Sequence, residues 1–359
     1  MTTAIHAPNR RRGDRILLVR TGRLGVTARV HVRGVAVTMA LCAAAIGVFA
    51  LSLTIGEFAI SLPDVVATLR GDGSDEHEFI IRTLRLPRAL TGLAVGAAFG
   101  LSGAIFQRLT GNALASPDII GVNAGAAVAA VFAIVVVHAA GTAVTVAALA
   151  GSALTAIATY VLAYRRGVTG YRLILVGIGV AAVLNGVVQY LLTRAEIYDA
   201  QQAVVWLTGS LNGRGWDDLR PIAVTLALVV PVVLLTARHI RVLELGDDAA
   251  RGLGVRVERS RAVVLLAGVA LAAVATASAG PIGFVALMAP QITRQLVGGR
   301  SLGLLPAAAG GALLVVASDL VARQLFAPIE LPVGLITAVL GAPYLLYLIA
   351  RSDRRSSRA

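Results

Sequence analysis

The sequence predicts an all-α polytopic membrane protein, and three observations lead to this fold class. Of the 359 residues, 57% are hydrophobic and only 14% are charged, and the mean hydropathy is +0.82. The apolar runs approach or exceed the roughly 20 residues that a helix needs to cross the hydrocarbon core of a bilayer. Most arginines lie at the ends of these runs, where charges set membrane topology.

The apolar runs and their flanks predict about ten membrane-spanning helices. They are expected at 34–56, 88–109, 117–138, 141–164, 172–193, 219–237, 261–280, 282–298, 303–325 and 332–350. We therefore divide the chain into a basic tail at 1–33, a transmembrane domain at 34–350 and a short tail at 351–359. Arginines crowd both tails, so both are predicted to be cytoplasmic, and an even number of spans agrees with this.

Two segments on the opposite side of the membrane are predicted to be amphipathic. The acidic loop 57–78 contains the sequence SLPDVVATLR, which can lie on the outer surface. The loop 195–218 contains a predicted helix around 199–208, with Trp206 and Trp216 as anchors at the membrane interface. A plain outer loop is the alternative for 195–218.

Small residues and prolines predict how the helices pack and where they break. Gly92, Gly96 and Gly100 recur at four-residue spacing, which favours close helix packing rather than a phosphate-binding loop. Proline-bounded breaks are predicted at 85–88, 112–117, 280–281, 289–290 and 331–332. Such breaks are tolerated at membrane depth only where protein or a water-filled cavity covers them. They therefore favour a transporter over a simple anchor.

The composition argues against several other functions. The chain has no lysine, so the nucleotide-binding motif G-x-x-x-x-G-K-S/T is absent, and we expect no ATP hydrolysis by this chain. The five histidines lie far apart and no nucleophile motif accompanies them, so we expect no enzyme and no bound metal or cofactor. The net charge of +13 comes from arginines at span ends, which disfavours nucleic-acid binding.

The most informative segment is residues 243–261, LELGDDAARGLGVRVERSR, between the sixth and seventh spans. It is polar and twice interrupted by glycine, and with the tails inside it faces the cytoplasm. A short helix in such a loop suits docking into a groove on a partner protein. A solvated connector is the alternative.

Polar side chains within the spans must face protein or water, because exposure to hydrocarbon is costly. Gln107 lies near the end of the second span, and Asn185 and Gln189 lie on one face of the fifth. These three can line a translocation path, or they can form interhelical hydrogen bonds. Asp319 and Arg323 are four residues apart in the ninth span and are expected to form an ion pair. Carboxylates are otherwise scarce in the spans, which disfavours a proton-driven carrier.

Several motifs together resemble one family. They are RLPR at 85–88, SPDIIG at 116–121, WLTGSL at 206–211, GPIGFV at 280–285 and LPVG at 331–334, with the loop at 243–261. On these residues the chain resembles FecCD-type permeases, which belong to ATP-binding-cassette importers of iron–siderophore complexes, haem and vitamin B12. The resemblance extends from the first span to Arg351. Within the family it is most similar to the second permease subunit of ferric-enterobactin importers.

The resemblance implies a fold, a location and roles for particular residues. The fold is that of a type II (vitamin B12/siderophore) importer permease in the cytoplasmic membrane. The coupling loop, 240–261, would transmit ATP-driven motion through Leu245, Gly246, Asp247, Asp248, Ala249, Arg251, Leu253 and Gly254. The binding protein would dock on Arg85, Arg88 and Arg323, unless these arginines only mark the headgroup boundary. The inner gate would be formed by Thr169, Gly170 and Tyr171.

The resemblance also implies partners and a substrate. The chain would pair with a second FecCD-type permease, expected to be a different chain, with a homodimer as the alternative. It would bind a cytoplasmic ATPase dimer, which holds ATP and Mg²⁺, and receive a ferric siderophore from an extracytoplasmic binding protein. A haem or cobalamin permease is the alternative within the family, and an ion-coupled secondary carrier is the alternative outside it.

Three positions depart from the family pattern. Ala113 replaces the usual proline of the NPLA motif, Ala286 replaces a common glycine, and Gln291 replaces the usual histidine of a P-H-x-x-R motif. Gln291 cannot supply a charged imidazole, but it can form hydrogen bonds.

Overall fold

The structure is a computed structural model that describes residues 5–6, 16–21, 26–164, 170–298 and 303–356. From Val32 onward the described chain forms helices and connecting loops, as the predicted fold class requires. Ahead of them, three short strands, β1 (Ile5–His6), β2 (Ile16–Thr21) and β3 (Val26–His31), form an antiparallel sheet in that order. The sheet lies in the basic N-terminal segment, for which the sequence pattern predicts no strand.

Fourteen α-helices follow within the described ranges. They are α1 (Val32–Thr54), α2 (Leu62–Arg70), α3 (Asp75–Glu78), α4 (Leu86–Thr110), α5 (Val122–Val135), α6 (Thr142–Ala163), α7 (Gly170–Arg194), α8 (Ile197–Leu207), α9 (Trp216–Leu243), α10 (Asp247–Gly252), α11 (Val257–Ala279), α12 (Val285–Val297), α13 (Leu304–Gln324) and α14 (Val333–Ser356). A π-helical segment, Phe79–Arg85, joins α3 to α4, and a 3-10 turn, Pro117–Ile120, precedes α5.

Each of the ten predicted spans contains a helix, but their lengths differ from the prediction. Seven helices in the described ranges are long and apolar enough to cross a membrane, and α5 and the apolar part of α14 are shorter. The predicted span 117–138 shrinks to 14 residues because Pro117 and Gly121, whose φ is +85°, hold the first turn outside the helix. The predicted span 282–298 shrinks to the 13 residues of α12. Thirteen residues rise only about 20 Å, less than the bilayer core.

Two of the five predicted breaks are wrong. The helix runs without interruption from Asp75 to Thr110 through Pro87, and Pro290 lies inside α12. Proline normally disturbs a helix because it lacks an N–H and crowds the carbonyl four residues earlier. The residues before Pro87, Phe79–Arg85, form a π-helical segment, which is wider than an α-helix. In a π-type turn each residue faces the carbonyl five residues earlier instead of the one four residues earlier, where a proline ring would clash. The other three predicted breaks lie between helices.

The long helix α4 is the centre of the bundle and packs backbone to backbone with its neighbours. A Cβ built on Gly96 would lie 2.2 Å from the carbonyl oxygen of Gly311 on α13, and one on Gly100 would lie 2.1 Å from that of Ala307. A Cβ on Gly103 would lie 1.7 Å from the carbonyl oxygen of Ala286 on α12. The glycine stripe therefore acts in helix packing, as predicted.

Helices α4, α11 and α13 are largely buried, whereas α1, α6, α7 and α9 expose most of their apolar surface. Ser102 of α4 donates a buried hydrogen bond to the carbonyl of Gly268 on α11, 2.7 Å away. The exposed apolar faces of the outer helices suit contact with lipid or with another membrane chain.

Both predicted amphipathic segments are helical, as α2 and α8. Helix α2 begins at Ser61, whose hydroxyl accepts a hydrogen bond from the backbone N–H of Asp64, and ends at Gly71 with φ of +99°. Trp216 is half-exposed and donates its indole N–H to the carbonyl of Arg82, 3.0 Å away. This predicted anchor therefore also joins the start of α9 to the π-helical segment.

The close packing of α4 predicts a steric effect at Gly96. Gly96→Ala would force α4 and α13 apart, and we expect a loss of about 1–3 kcal/mol, as for other overpacked cores. Gly47→Ala on α1 is the matched control, because no described atom lies within 4 Å of the added Cβ. Thermal unfolding in mild detergent measures both variants. Equal melting temperatures for the two would contradict the close packing of α4 against α13.

Candidate functional site

The residues predicted to act in function fall mainly at the two ends of α4. Arg88 is the third residue of this helix, and Arg108 lies near its other end, beside the predicted coupling loop. Twenty residues of α-helix separate them, a rise of about 30 Å, which matches the hydrocarbon thickness of a bilayer. The two ends of α4 are therefore about one bilayer core apart.

The predicted coupling loop contains one short helix bounded by glycines. Helix α9 ends at Leu243, and α10 follows Gly246, whose φ is +96°. After α10 the chain turns at Gly254 with φ of +78°, a backbone conformation that glycine adopts readily. Ala250 is buried beneath α10, whereas Leu245 and Leu253 are 64% and 63% exposed. Two large apolar side chains thus flank a short exposed helix, as a docking element requires.

The two neighbouring aspartates of this loop have different environments. Asp248 is fully exposed and pairs only at the surface with Arg251, 3.1 Å away. Asp247 is less exposed and pairs with Arg261 of α11, with Nη2 of the arginine 2.6 Å from Oδ1. Just before α10, Glu244 pairs with Arg108 of α4 at 2.6 Å. The sequence pattern does not distinguish the two aspartates, and the structure separates them.

At the other end of α4, the structure brings the three predicted docking arginines into one cluster. Arg88 pairs with Asp319 at 2.9 Å and with Glu330 at 2.8 Å. Arg323 lies 3.3 Å from the other carboxylate oxygen of Asp319, so the ion pair predicted from their spacing is confirmed. Glu330 is the most exposed of these four side chains, at 34%.

Arg85 and Arg323 also hold the C-terminal end of α1. The Arg85 guanidinium donates to the carbonyls of Leu53 and Phe58, at 2.8 and 2.5 Å, and makes a longer hydrogen bond to the carbonyl of Thr54. Arg323 donates to the carbonyl of Ser52 at 3.4 Å. Helix α1 has no basic residue in its last turn. The arginines therefore supply both the missing donors and the positive charge that a helix C-terminus favours.

Gly56 makes room for this capping arrangement. A Cβ on Gly56 would lie 2.5 Å from Nη2 of Arg85 and 3.0 Å from its Cζ. The guanidinium would have to shift to make room for that atom, which would disturb its hydrogen bonds to the carbonyls. No motif in the sequence indicates the link, since 29 positions separate the two residues.

The predicted docking arginines are therefore gathered at one surface but already have partners within the chain. Arg88 and Arg323 are neutralised in part by Asp319 and Glu330, and Arg85 is engaged by backbone carbonyls. Two roles were predicted for these arginines, docking of a binding protein and marking of the headgroup boundary. Neither role includes the capping of α1. The contact of these arginines with a binding protein stays a prediction.

Of the residues predicted to line a path, Gln107 forms interhelical hydrogen bonds, the alternative considered for it. Its amide N–H donates to the carbonyl of Leu287 at 3.1 Å, and its side-chain oxygen accepts from Gln291 at 2.6 Å. Gln291 also donates to the carbonyl of Ala113 at 3.1 Å. Two of the three departures from the family pattern thus meet in one buried amide cluster, where a neutral side chain suffices.

Asn185 and Gln189 are instead exposed on α7, whereas Gln107 is buried. Tyr171, at the start of the same helix, is 79% exposed. Gly170 begins α7, and Thr169 lies outside the described residues. The path and gate roles of these residues stay predictions. Within the ranges that the structure describes, no group of three or more His, Cys, Asp or Glu side chains could hold a metal ion.

Comparisons with known proteins place this arrangement among transport proteins. The FecCD transport family matches residues 35–351. The permease protein FepG of the ferric enterobactin transport system of Escherichia coli is 43% identical over 300 residues, covering 84% of this chain and 91% of that protein. FhuG, a permease of the iron(3+)-hydroxamate import system of Bacillus subtilis, is 38% identical over 315 residues, covering 85% and 94%.

A solved structure agrees in fold as well. An inward-facing metal-chelate type ABC transporter superposes with a TM-score of 0.79 at 28% identity, and the match covers 88% of this chain and 99% of that one. The complex PsaBC of Streptococcus pneumoniae, with a TM-score of 0.56 at 14% identity, shares the fold.

The capping of α1 predicts that Arg85 is needed for stability. Arg85→Ala would remove the guanidinium that donates to the carbonyls of Leu53 and Phe58, and we expect a loss of about 1.5–3 kcal/mol, the usual range for hydrogen bonds from a charged group. The matched control is Arg220→Ala, since that arginine is 75% exposed in its pair with Asp217. Thermal unfolding in detergent compares the two. If Arg85→Ala melts no earlier than Arg220→Ala, the capping role is wrong.

Proposed function

The chain belongs to the FecCD transport family, and from this premise we propose that it is the permease subunit of an ATP-binding-cassette importer that moves a ferric siderophore across the cytoplasmic membrane. The observation that carries the proposal is the exposed, glycine-bounded α10 at one end of a helical membrane bundle. Such a helix gives a separate ATPase a place to act on a chain that has no nucleotide-binding motif of its own.

We propose a catecholate siderophore of the enterobactin type as the substrate. The identity to FepG supports this class. Relatives named for ferric hydroxamate, achromobactin and ferric citrate are 36–38% identical to this chain, so their sequence identity is only slightly lower than that of FepG. The substrate class therefore needs a direct uptake test.

The ATPase dimer is proposed to bind at α10. Leu245 and Leu253 would enter an apolar groove, and Asp248 would face a basic rim. ATP binding would then shift the balance between outward-open and inward-open states through contacts that differ between those states. This chain would perform translocation, and the bond-breaking step would occur on the partner.

A second permease is proposed to cover the exposed face of α7. This face carries Asn185 and Gln189, whose amides would border a path between the two chains, with residues 169–171 at its inner gate. A polar path is compatible with a membrane-embedded interface, because each amide would face water or the partner rather than lipid. We propose a heterodimer, and a homodimer is the competing outcome.

The binding protein is proposed to dock at the opposite end, on the outer side. Glu330, whose side chain is 34% exposed, lies at the rim of the arginine cluster there and pairs with the less exposed Arg88. Charged rims fix the orientation and the rate of association more than the affinity. This assignment places the coupling loop and both tails in the cytoplasm.

Reversing the exposed aspartate tests the ATPase contact. Asp248→Arg would place like charges together at the proposed interface, so we expect siderophore-stimulated ATP hydrolysis in the reconstituted complex to fall about tenfold or more, the ratio for a loss of 1.4 kcal/mol. The control is Asp217→Arg, another exposed aspartate at the far end of α9. The measurements are the amount of ATPase retained by the tagged chain in mild detergent and the rate of stimulated hydrolysis. Unchanged retention and unchanged stimulation in Asp248→Arg would contradict the proposed contact.

Uptake of radioactively labelled compounds in a strain that depends on this chain tests the substrate, with the label on iron in the siderophore, citrate and haem complexes and on cobalt in cobalamin. We expect ferric enterobactin to enter at least about ten times faster than ferric hydroxamate, ferric citrate, haem or cobalamin offered at equal concentration, the ratio that 1.4 kcal/mol of discrimination gives. Faster uptake of a hydroxamate or citrate complex would keep the importer and replace the substrate class. Uptake without any ATPase would overturn the importer itself.

A further inference from the structure

The coupling loop is joined to the rest of the protein by the buried side chains of Ile240, Ala250 and Val257 and by ion pairs. A Cβ built on Gly246, Gly252 or Gly254 would meet no described atom within 4 Å, so this part of the loop is open. Ala250 is the buried residue of α10. Because this open part has little apolar contact of its own, polar bonds are needed to carry its motion to the bundle.

Two ion pairs supply these bonds, and they lead to different helices. Glu244 pairs with Arg108 of α4, and Asp247 pairs with Arg261, the last residue of the loop and part of α11, each at 2.6 Å. Arg261 also lies 3.6 Å from Glu258 of its own helix. Both arginine side chains are only 16% exposed, so solvent screens these pairs less than it screens the exposed pair Asp248–Arg251.

The helices that receive these pairs are the central ones. Helices α4 and α11 are largely buried and are joined to each other by the hydrogen bond from Ser102 to the carbonyl of Gly268. The residue before Arg108 is Gln107, whose amide binds α12 through Leu287 and Gln291. A displacement of Arg108 would therefore act on α4 and α12 together, whereas a displacement of Arg261 would act on α11.

We infer that Arg108 and Arg261 are positioning residues that hold the coupling loop to α4 and α11 and pass its displacement to them, and that Asp247 belongs to this internal set while Asp248 faces the ATPase. This inference rests on the proposed function. The acidic residues of the loop then have two different roles, because Glu244 and Asp247 bind inward and Asp248 binds outward.

The test uses charge reversal and exchange in the complete reconstituted importer. The variants are Arg108→Glu, Glu244→Arg and the double variant that carries both. The readout is the number of iron–siderophore complexes transported per ATP hydrolysed, together with the amount of ATPase retained. We expect each single variant to retain the ATPase but to transport about three- to tenfold less per ATP, a change within the range over which side chains between coupled sites modulate coupling. The double variant should recover at least half of the wild-type ratio.

Further variants separate a positioning role from a purely structural one. Glu244→Gln removes the charge with little change in shape, and it should lower the ratio in the same direction even if the reversals reduce the yield of folded protein. Asp247→Arg with Arg261→Asp tests the second pair in the same way. The matched control is the exchange of Asp217 and Arg220, an exposed pair at the other end of α9, which should leave the ratio unchanged.

The outcomes distinguish this inference from the proposed function. A wild-type chain that retains no ATPase would overturn both. Two other outcomes, in a wild-type complex that transports normally, would overturn only the role of Arg108 and Arg261. In one, the single variants transport as many complexes per ATP as the wild type. In the other, the exchange variant transports as few complexes per ATP as the single variants.

Discussion

Backbone contact along α4 is the constraint on which the rest of this protein depends. Glycines let the backbone carbonyl of one helix contact the Cα of the other. No flexible side chain lies between the two backbones, so a rotation or a slide of either helix produces a clash. Gly96 and Gly100 impose this against α13, and Gly103 imposes it against α12. Helix α4 is therefore a rigid member of the bundle, and the groups at its two ends keep a constant separation.

Arginine side chains have suitable chemistry for both ends of helix α4. At one end, a guanidinium can satisfy several carbonyls of α1 at once, since it presents five N–H donors in a fixed plane. At the other end, it reaches from a buried helix to a carboxylate on a loop while its aliphatic part stays within the protein. A chain without lysine thus uses one cation type for helix capping, for internal ion pairs and for topology.

The sequence predicts those parts of the protein that depend on local pattern. Apolar run length locates the helices, glycine and polarity locate the exposed loop that contains α10, and four-residue spacing identifies the pair Asp319–Arg323. It does not predict contacts between distant segments. The capping of α1 by Arg85, the pairing of Arg108 with Glu244 across 136 positions and the meeting of Gln291 with Ala113 all require the fold.

Local rules also failed at Pro87, where the wider turns of the π-helical segment before it let the helix continue. The spans predicted for α5 and α12 were also too long. The prediction counts apolar residues, and it cannot detect that the backbone just before each helix forms a turn outside the helix.

Gly56 and Arg85 carry an evolutionary consequence. A larger residue at 56 shifts the guanidinium, and a shorter residue at 85 removes the donor to the carbonyls of Leu53 and Phe58. A change at one of these positions therefore alters the cost of a change at the other, so substitutions at the two should be correlated among descendants of this sequence. Their co-variation would record a contact that neither residue's own neighbourhood in the sequence reveals.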